Sequence, residues 1–103
     1  MNKQKQTKIS IITPFFNEEE SIEKFLEELK KVTLTLKNYI FEYIFIDDGS
    51  TDRTLNKLIT ITKNEPNIRI IELSRNFGKE AALTAGIDLA SSEAAILMDA
   101  DLE

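Results

Sequence analysis

The sequence predicts an α/β fold: a mostly parallel sheet with helices on both faces. Three observations predict it. Four apolar runs rich in β-branched or aromatic residues recur along the 103 residues, and each reads as a near-continuous block. Strands buried on both faces read that way, whereas half-exposed strands alternate. Three stretches with helical spacing of apolar residues separate the runs, and the connections are short. The resulting order, β-α-β-α-β-α-β, is the signature of right-handed crossover units wound into one sheet.

The elements follow in order. Residues 1–8 form a polar, basic N-terminal tail, and one domain is expected over residues 9–103. The first strand is Ile9 to Thr13. A helix is expected from Glu18 to roughly Leu36, with Ile22, Phe25, Leu26, Leu29 and Val32 on one stripe and acids and lysines opposite. Phe41 to Ile46 is the second strand. Ser50, Thr51 and Asp52 open a second helix, continued by Leu55, Leu58, Ile59 and Ile61 or Thr62. Pro66-Asn67 marks a turn before the third strand, Ile68 to Leu73. A third helix is expected from Asn76 to Leu89, carrying Phe77, Ala81, Ala82, Ala85 and Ile87; Gly86 weakens it or lets it approach the sheet closely. The fourth strand is Ala94 to Met98.

Composition narrows the chemistry. The chain is 42% hydrophobic and 30% charged, ordinary for a globular domain. Its net charge of −5 argues against nucleic acid as a partner, since a basic face normally supplies that affinity. There is no Cys, which excludes disulfides, thiolate metal sites and Cys nucleophiles. There is no His, which removes the usual general base. Carboxylates, lysines, hydroxyls, backbone groups and a hard metal ion are what is left. No stretch approaches the ~18 apolar residues of a membrane span, so the chain itself is expected to be soluble.

In a parallel sheet of this kind ligands bind at the carboxyl ends of the strands. After the first strand come Pro14, Phe15, Phe16, Asn17 and Glu18. Pro14 can simply stop the strand, with Asn17 capping a helix whose positive end suits the acids. Alternatively the aromatic and polar groups form a wall for a flat base. After the second strand come Asp47 and Asp48, an expensive pair at the end of an apolar run unless paired or used. One can cap the turn; the other can accept hydrogen bonds from a base imide or a ribose hydroxyl. After the third come Arg75, Gly78 and Lys79, either solvated at a helix start or in contact with a phosphate-bearing ligand. After the fourth come Asp99 and Asp101, which can face one hard cation, Mg²⁺ or Mn²⁺, if the strand is still extended there.

These residues resemble a known family. Pro14-Phe15-Phe16-Asn17-Glu18, Asp47-Asp48-Gly49-Ser50-Thr51-Asp52 and Asp99-Ala100-Asp101, in this order, look like the amino-terminal half of family 2 glycosyltransferases with the GT-A fold. Leu73 to Ala82, with its core Ser74-Arg75-Asn76-Phe77-Gly78-Lys79, is similar to the polyprenyl-phosphate branch, which includes undecaprenyl-phosphate glucosyltransferases and dolichyl-phosphate mannose synthases. The resemblance implies a Rossmann-like half with strand order 3-2-1-4. It implies nucleotide binding by Pro14, Phe16, Glu18, Asp48, Lys79 and Asp99, and metal binding, Mg²⁺ or Mn²⁺, by Asp99 and Asp101. It implies a nucleotide-sugar donor (UDP-sugar favoured, GDP-sugar the alternative), a polyprenyl phosphate acceptor and inversion at the anomeric carbon. Family members usually continue after Asp101-Leu102 with Gln-Asp-Pro, where Glu103 stands here. The chain is thus expected to be the nucleotide-binding part of a longer enzyme at the cytoplasmic face of a membrane, inactive by itself. Other GT-A enzymes that make polysaccharide or glycan, and a non-catalytic α/β module that dimerises through its sheet edge, are the alternative readings.

Overall fold

The computed structural model describes residues 6–101. Its elements are β1 (Thr7–Phe15), α1 (Ile22–Leu34), β2 (Tyr39–Asp47), α2 (Thr54–Thr62), β3 (Ile68–Glu72), α3 (Lys79–Leu89) and β4 (Ala94–Leu97). The four strands form one sheet in the order β3-β2-β1-β4, and every neighbouring pair is parallel. The expected architecture and strand order are therefore what the chain adopts. β1 begins two residues before the expected strand, because Thr7 and Lys8 already pair with Tyr39 and Ile40.

Alternation along the two central strands divides the core. Ile11 and Phe15 of β1 and Tyr43 and Phe45 of β2 meet Phe25, Leu26 and Leu29 of α1 and Leu58 of α2 on one face. Ile12, Ile44 and Ile46 meet Ala82 of α3 on the other. Both faces of β1 and β2 are covered, which is why these strands read as unbroken apolar runs. Phe15, Phe25 and Phe45 pack edge to face, with ring centroids 5.3 to 6.1 Å apart. Gly86 lets α3 lie against the sheet: a Cβ there would overlap the Ile12 side chain and come within 2.8 Å of Ile46 Cδ1.

Several expectations are corrected. β4 is exposed along all four residues, Ile96 and Leu97 included. It is an edge strand with a single neighbour, so its apolar run reflects something other than burial by the described residues. Val32, Ile59, Ile61, Phe77 and Ile87 are exposed, and Ala81 with them. The buried residues of α2 are Thr54, Leu58 and Thr62, and those of α3 are Ala82 and Gly86. α1 starts at Ile22 rather than Glu18, and α3 at Lys79 rather than Asn76.

The late start of α1 has a local cause. Asn17 does not cap it. Its backbone adopts a left-handed φ of 51°, and its side-chain carbonyl accepts from Thr51 N at 2.8 Å and Asp52 N at 3.3 Å. Asn17 therefore caps the turn after β2. That turn returns the contact, since Ser50 Oγ accepts from Asn17 N at 3.0 Å and Thr54 Oγ1 accepts from Glu18 N at 2.8 Å. Asp52 Oδ1 accepts from Thr54 N at 2.9 Å in the turn that leads into α2. Burial alone would raise the Asp52 pKa, but hydrogen bonds from the Thr54 hydroxyl and from the Thr54 and Glu19 amides hold it below the ordinary value.

Candidate functional site

The carboxyl ends of the strands open into a cavity of 340 Å³. The β1 exit contributes Pro14, Phe16 and Glu18; the β2 exit Asp48; the β3 exit Asn76, Gly78 and Lys79; the β4 exit Asp99 and Asp101. All seven residues singled out for nucleotide or metal binding line this one hollow. The strand order explains the convergence. With β1 central, the exits of β2 and β4 flank it, and the β3 exit reaches in over β2.

The two adjacent aspartates do different work. Asp47 is the last residue of β2, and Asp48 stands one residue past its end. Asp47 is 2% exposed and its Oδ2 accepts from Ser50 N at 3.4 Å, across the turn. Asp47 Oδ1 and Thr13 Oγ1, both buried, have no hydrogen-bond partner among the described residues. Asp48 is 3% exposed and turns toward the cavity. Its Oδ1 accepts from Phe77 N at 2.9 Å, and its Oδ2 from Gly78 N and Asn76 Nδ2, both at 3.2 Å. Asn76 Nδ2 also reaches the Asp48 carbonyl at 3.1 Å. Gly49, with φ of 70°, packs so closely on the Arg75–Asn76 backbone that a Cβ would overlap it. Gly78 holds φ of 101°, a region open essentially to glycine, and α3 begins immediately after it.

At the other end of the cavity Lys79 Nζ pairs with Asp99 Oδ1. The hydrogen bond to Asp99, together with the charges of Asp99 and Asp101, raises the Lys79 pKa above that of an ordinary lysine. β4 ends at Leu97, so Asp99 to Asp101 is not the extended continuation the sequence suggested. Ala100 and Asp101 lie in a turn, and Ala100 is buried against the core. The anchored alanine leaves both flanking aspartates lining the cavity.

No group of three or more carboxylate, His or Cys ligands gathers anywhere among the described residues. The donor set at Asp99 and Asp101 nevertheless fits a hard cation that arrives with its own oxygens. Mg²⁺ and similar ions are commonly held by one or two carboxylates, with substrate phosphates completing the shell.

Arg75, a candidate phosphate contact, does not reach this hollow. Its guanidinium lies 4.9 Å from the centroid of the exposed Phe77 ring. Asn76 was not singled out by the sequence, and its signal there was slight: an amide side chain two residues before a glycine at a strand exit. A second hollow of 230 Å³, lined by Leu26, Leu29, Tyr43 and Ile68 among others, lies between α1 and the β2–β3 side of the sheet, away from every strand-exit residue.

The profile of the family described as glycosyl transferase family 2 matches residues 10–103. An uncharacterized glycosyltransferase, sll0501, from Synechocystis is 46% identical over 95 residues, covering 92% of this chain and 30% of that protein. A bactoprenol glucosyl transferase of Shigella phage SfV is 43% identical over 96 residues, covering 93% of this chain and 31% of that protein. The chain therefore spans about a third of the length of these relatives. Among solved structures, S. aureus TarS 1-349 in complex with UDP-GlcNAc superposes with a TM-score of 0.75 at 29% identity, over 91% of this chain and 26% of that one. Strand order, cavity position and these matches agree, and the chain belongs to glycosyl transferase family 2.

Proposed function

We propose that this chain is the nucleotide-binding part of an enzyme that transfers a sugar from a nucleoside diphosphate to a polyprenyl phosphate, with inversion at the anomeric carbon. The carrying observation is the convergence of four strand exits on one cavity, with a buried carboxylate at Asp48 and a lysine–carboxylate group at Lys79, Asp99 and Asp101. The lipid acceptor is supported by the name of the phage relative, and a nucleotide-sugar donor by the ligand of TarS. A lipid acceptor places the full enzyme at a membrane surface; no helix among the described residues is long and apolar enough to cross one.

The chain's own groups divide the work. Phe16 offers a flat apolar wall for a base. Asp48 receives the base's hydrogen-bond donor. A carboxylate has about four acceptor positions, and three are already taken by Phe77, Gly78 and Asn76. One position on Oδ1 remains, which suits the single imide N–H of uracil better than the adjacent N–H pair of guanine. Lys79 supplies positive charge for the diphosphate, and Asp99 and Asp101 hold its cation, Mg²⁺ or Mn²⁺. When bound, that ion neutralises charge on the departing diphosphate. The acceptor is already an anion at neutral pH, so positioning and leaving-group stabilisation dominate and a histidine base is dispensable.

Isothermal titration of the chain with UDP and GDP, each with and without Mn²⁺, tests the proposal. UDP binding strengthened by Mn²⁺, and tighter than GDP binding, is expected. No heat with either nucleotide at millimolar concentration would sink it.

The exposed apolar edge at Ile96 and Leu97 favours a second reading, in which the chain associates with another copy through β4. Light scattering decides it: a monomer across the micromolar range removes this reading.

A further inference from the structure

We infer that Asn76 is a positioning residue for nucleotide recognition, acting through Asp48. The inference rests on the reading of Asp48 as the acceptor for the base. Asp48 leaves β2 with its backbone fixed, because its N–H donates to Phe15 O at 2.8 Å. Its side chain is fixed from the other side by three donors of the β3 exit, two amides and the Asn76 carboxamide. The two amides each engage one carboxylate oxygen, Phe77 N donating to Oδ1 and Gly78 N to Oδ2. The Asn76 carboxamide bridges Asp48 Oδ2 and Asp48 O, at 3.2 and 3.1 Å, and so sets the rotation of the carboxylate relative to its own backbone. Without that bridge a second oxygen position opens, and the remaining acceptor on Oδ1 is no longer the only one presented to a base. Hydrogen bonds to an ionised group are among the stronger ones, so the bridge has the strength to hold one orientation.

Asn76 also takes no part in the Lys79–Asp99 pair. Lys79 and Asp99 make their pair with each other, and no hydrogen bond runs from Asn76 to either.

The test measures binding of UDP and of inorganic pyrophosphate, both with Mn²⁺, to the wild-type chain and to Asn76→Ala, Asp48→Asn and the double variant. Asn76→Ala should weaken UDP about tenfold, the loss of one charge-assisted hydrogen bond, and leave pyrophosphate unchanged. The double variant should bind UDP no more weakly than Asp48→Asn alone. Equal weakening of both ligands would show general collapse of the loop and overturn the inference; so would additive losses, or an unchanged UDP affinity in Asn76→Ala. If Asn76→Ala fails to fold, the isosteric Asn76→Asp is read in its place, with a loss of UDP affinity at least as large. Should Asp48→Asn bind UDP like the wild type, the nucleotide reading itself fails. Loss in Asp48→Asn with none in Asn76→Ala confines the failure to this inference.

Discussion

Replacing Gly86 by alanine sets two known effects against each other. In a helix interior, alanine is favoured over glycine by about 1 kcal/mol. On α3, however, the new Cβ would overlap Ile12 Cγ2 and lie 2.8 Å from Ile46 Cδ1. The Ile46 contact is with the far end of a side chain, which can rotate. The Ile12 contact is with a branch on Cβ, stiff at χ1, on a strand held between β2 and β4. Overpacking of this kind costs about 1–3 kcal/mol. The net expectation is a loss of about 1 kcal/mol, or roughly 4–8 °C in Tm for a domain of this size. Urea denaturation followed by circular dichroism measures it, with the slope unchanged between variants. Ile12→Ala should also cost less in the Gly86→Ala background than in the wild type, because the added methyl fills part of the space. A Gly86→Ala chain that gains about 1 kcal/mol, as propensity alone predicts, would refute the close approach of α3 to β1.

Three further expectations follow from the site and its frame. Gly49→Ala should lower both stability and UDP affinity, since the left-handed backbone costs roughly 1–2 kcal/mol for a residue with a Cβ and the methyl meets the Arg75–Asn76 backbone; thermal melts and titration read the two losses. Glu42 is 8% exposed, and although burial would raise its pKa, hydrogen bonds from Ser10 and Ser91 and the charges of Lys8 and Arg69 hold it below the ordinary value. Its folded pKa is thus the lower one, so its stabilisation is complete above the unfolded carboxylate pKa and is lost as pH falls through the folded value; Glu42→Gln should flatten the acid limb of a stability-against-pH curve, and an unchanged limb would assign the acid loss elsewhere. Asp99→Asn should abolish the Mn²⁺ dependence of UDP binding while leaving the metal-free affinity near that of the wild type, as titration in the two conditions would show.

Much of this was legible in the residues. The central strands announced themselves because both of their faces are covered, and the strand exits followed from them. Asking what stands after each strand pointed to the segments, and the family resemblance picked out the individual cavity residues within them. What the sequence hid was mostly contact at long separation. Asn17 looks like a helix cap because its neighbours in the chain are acids, yet its partners lie 34 and 35 residues away at Thr51 and Asp52. Asn76 shows its use only once Asp48, 28 residues earlier, is beside it. Val32, Ile59 and Ile87 fit helical stripes but face solvent, because a stripe says which side is apolar and not how wide the covering sheet is. The exposed β4 misled for the same reason.

The placement of β4 beside β1 also orders events in time. β1, β2 and β3, with α1 and α2, are complete by residue 72, whereas β4 pairs Ile9 with Ala94, 85 residues apart. On a chain emerging from its N-terminus, the Asp48 hub and the side of the cavity around it can be assembled once residues up to about 80 are out. The carboxylates of Asp99 and Asp101 arrive last, on a strand that needs β1 as its template and offers β1 only one edge in return. The Asp48 side of the cavity thus precedes the Asp99 and Asp101 side in the order of the chain.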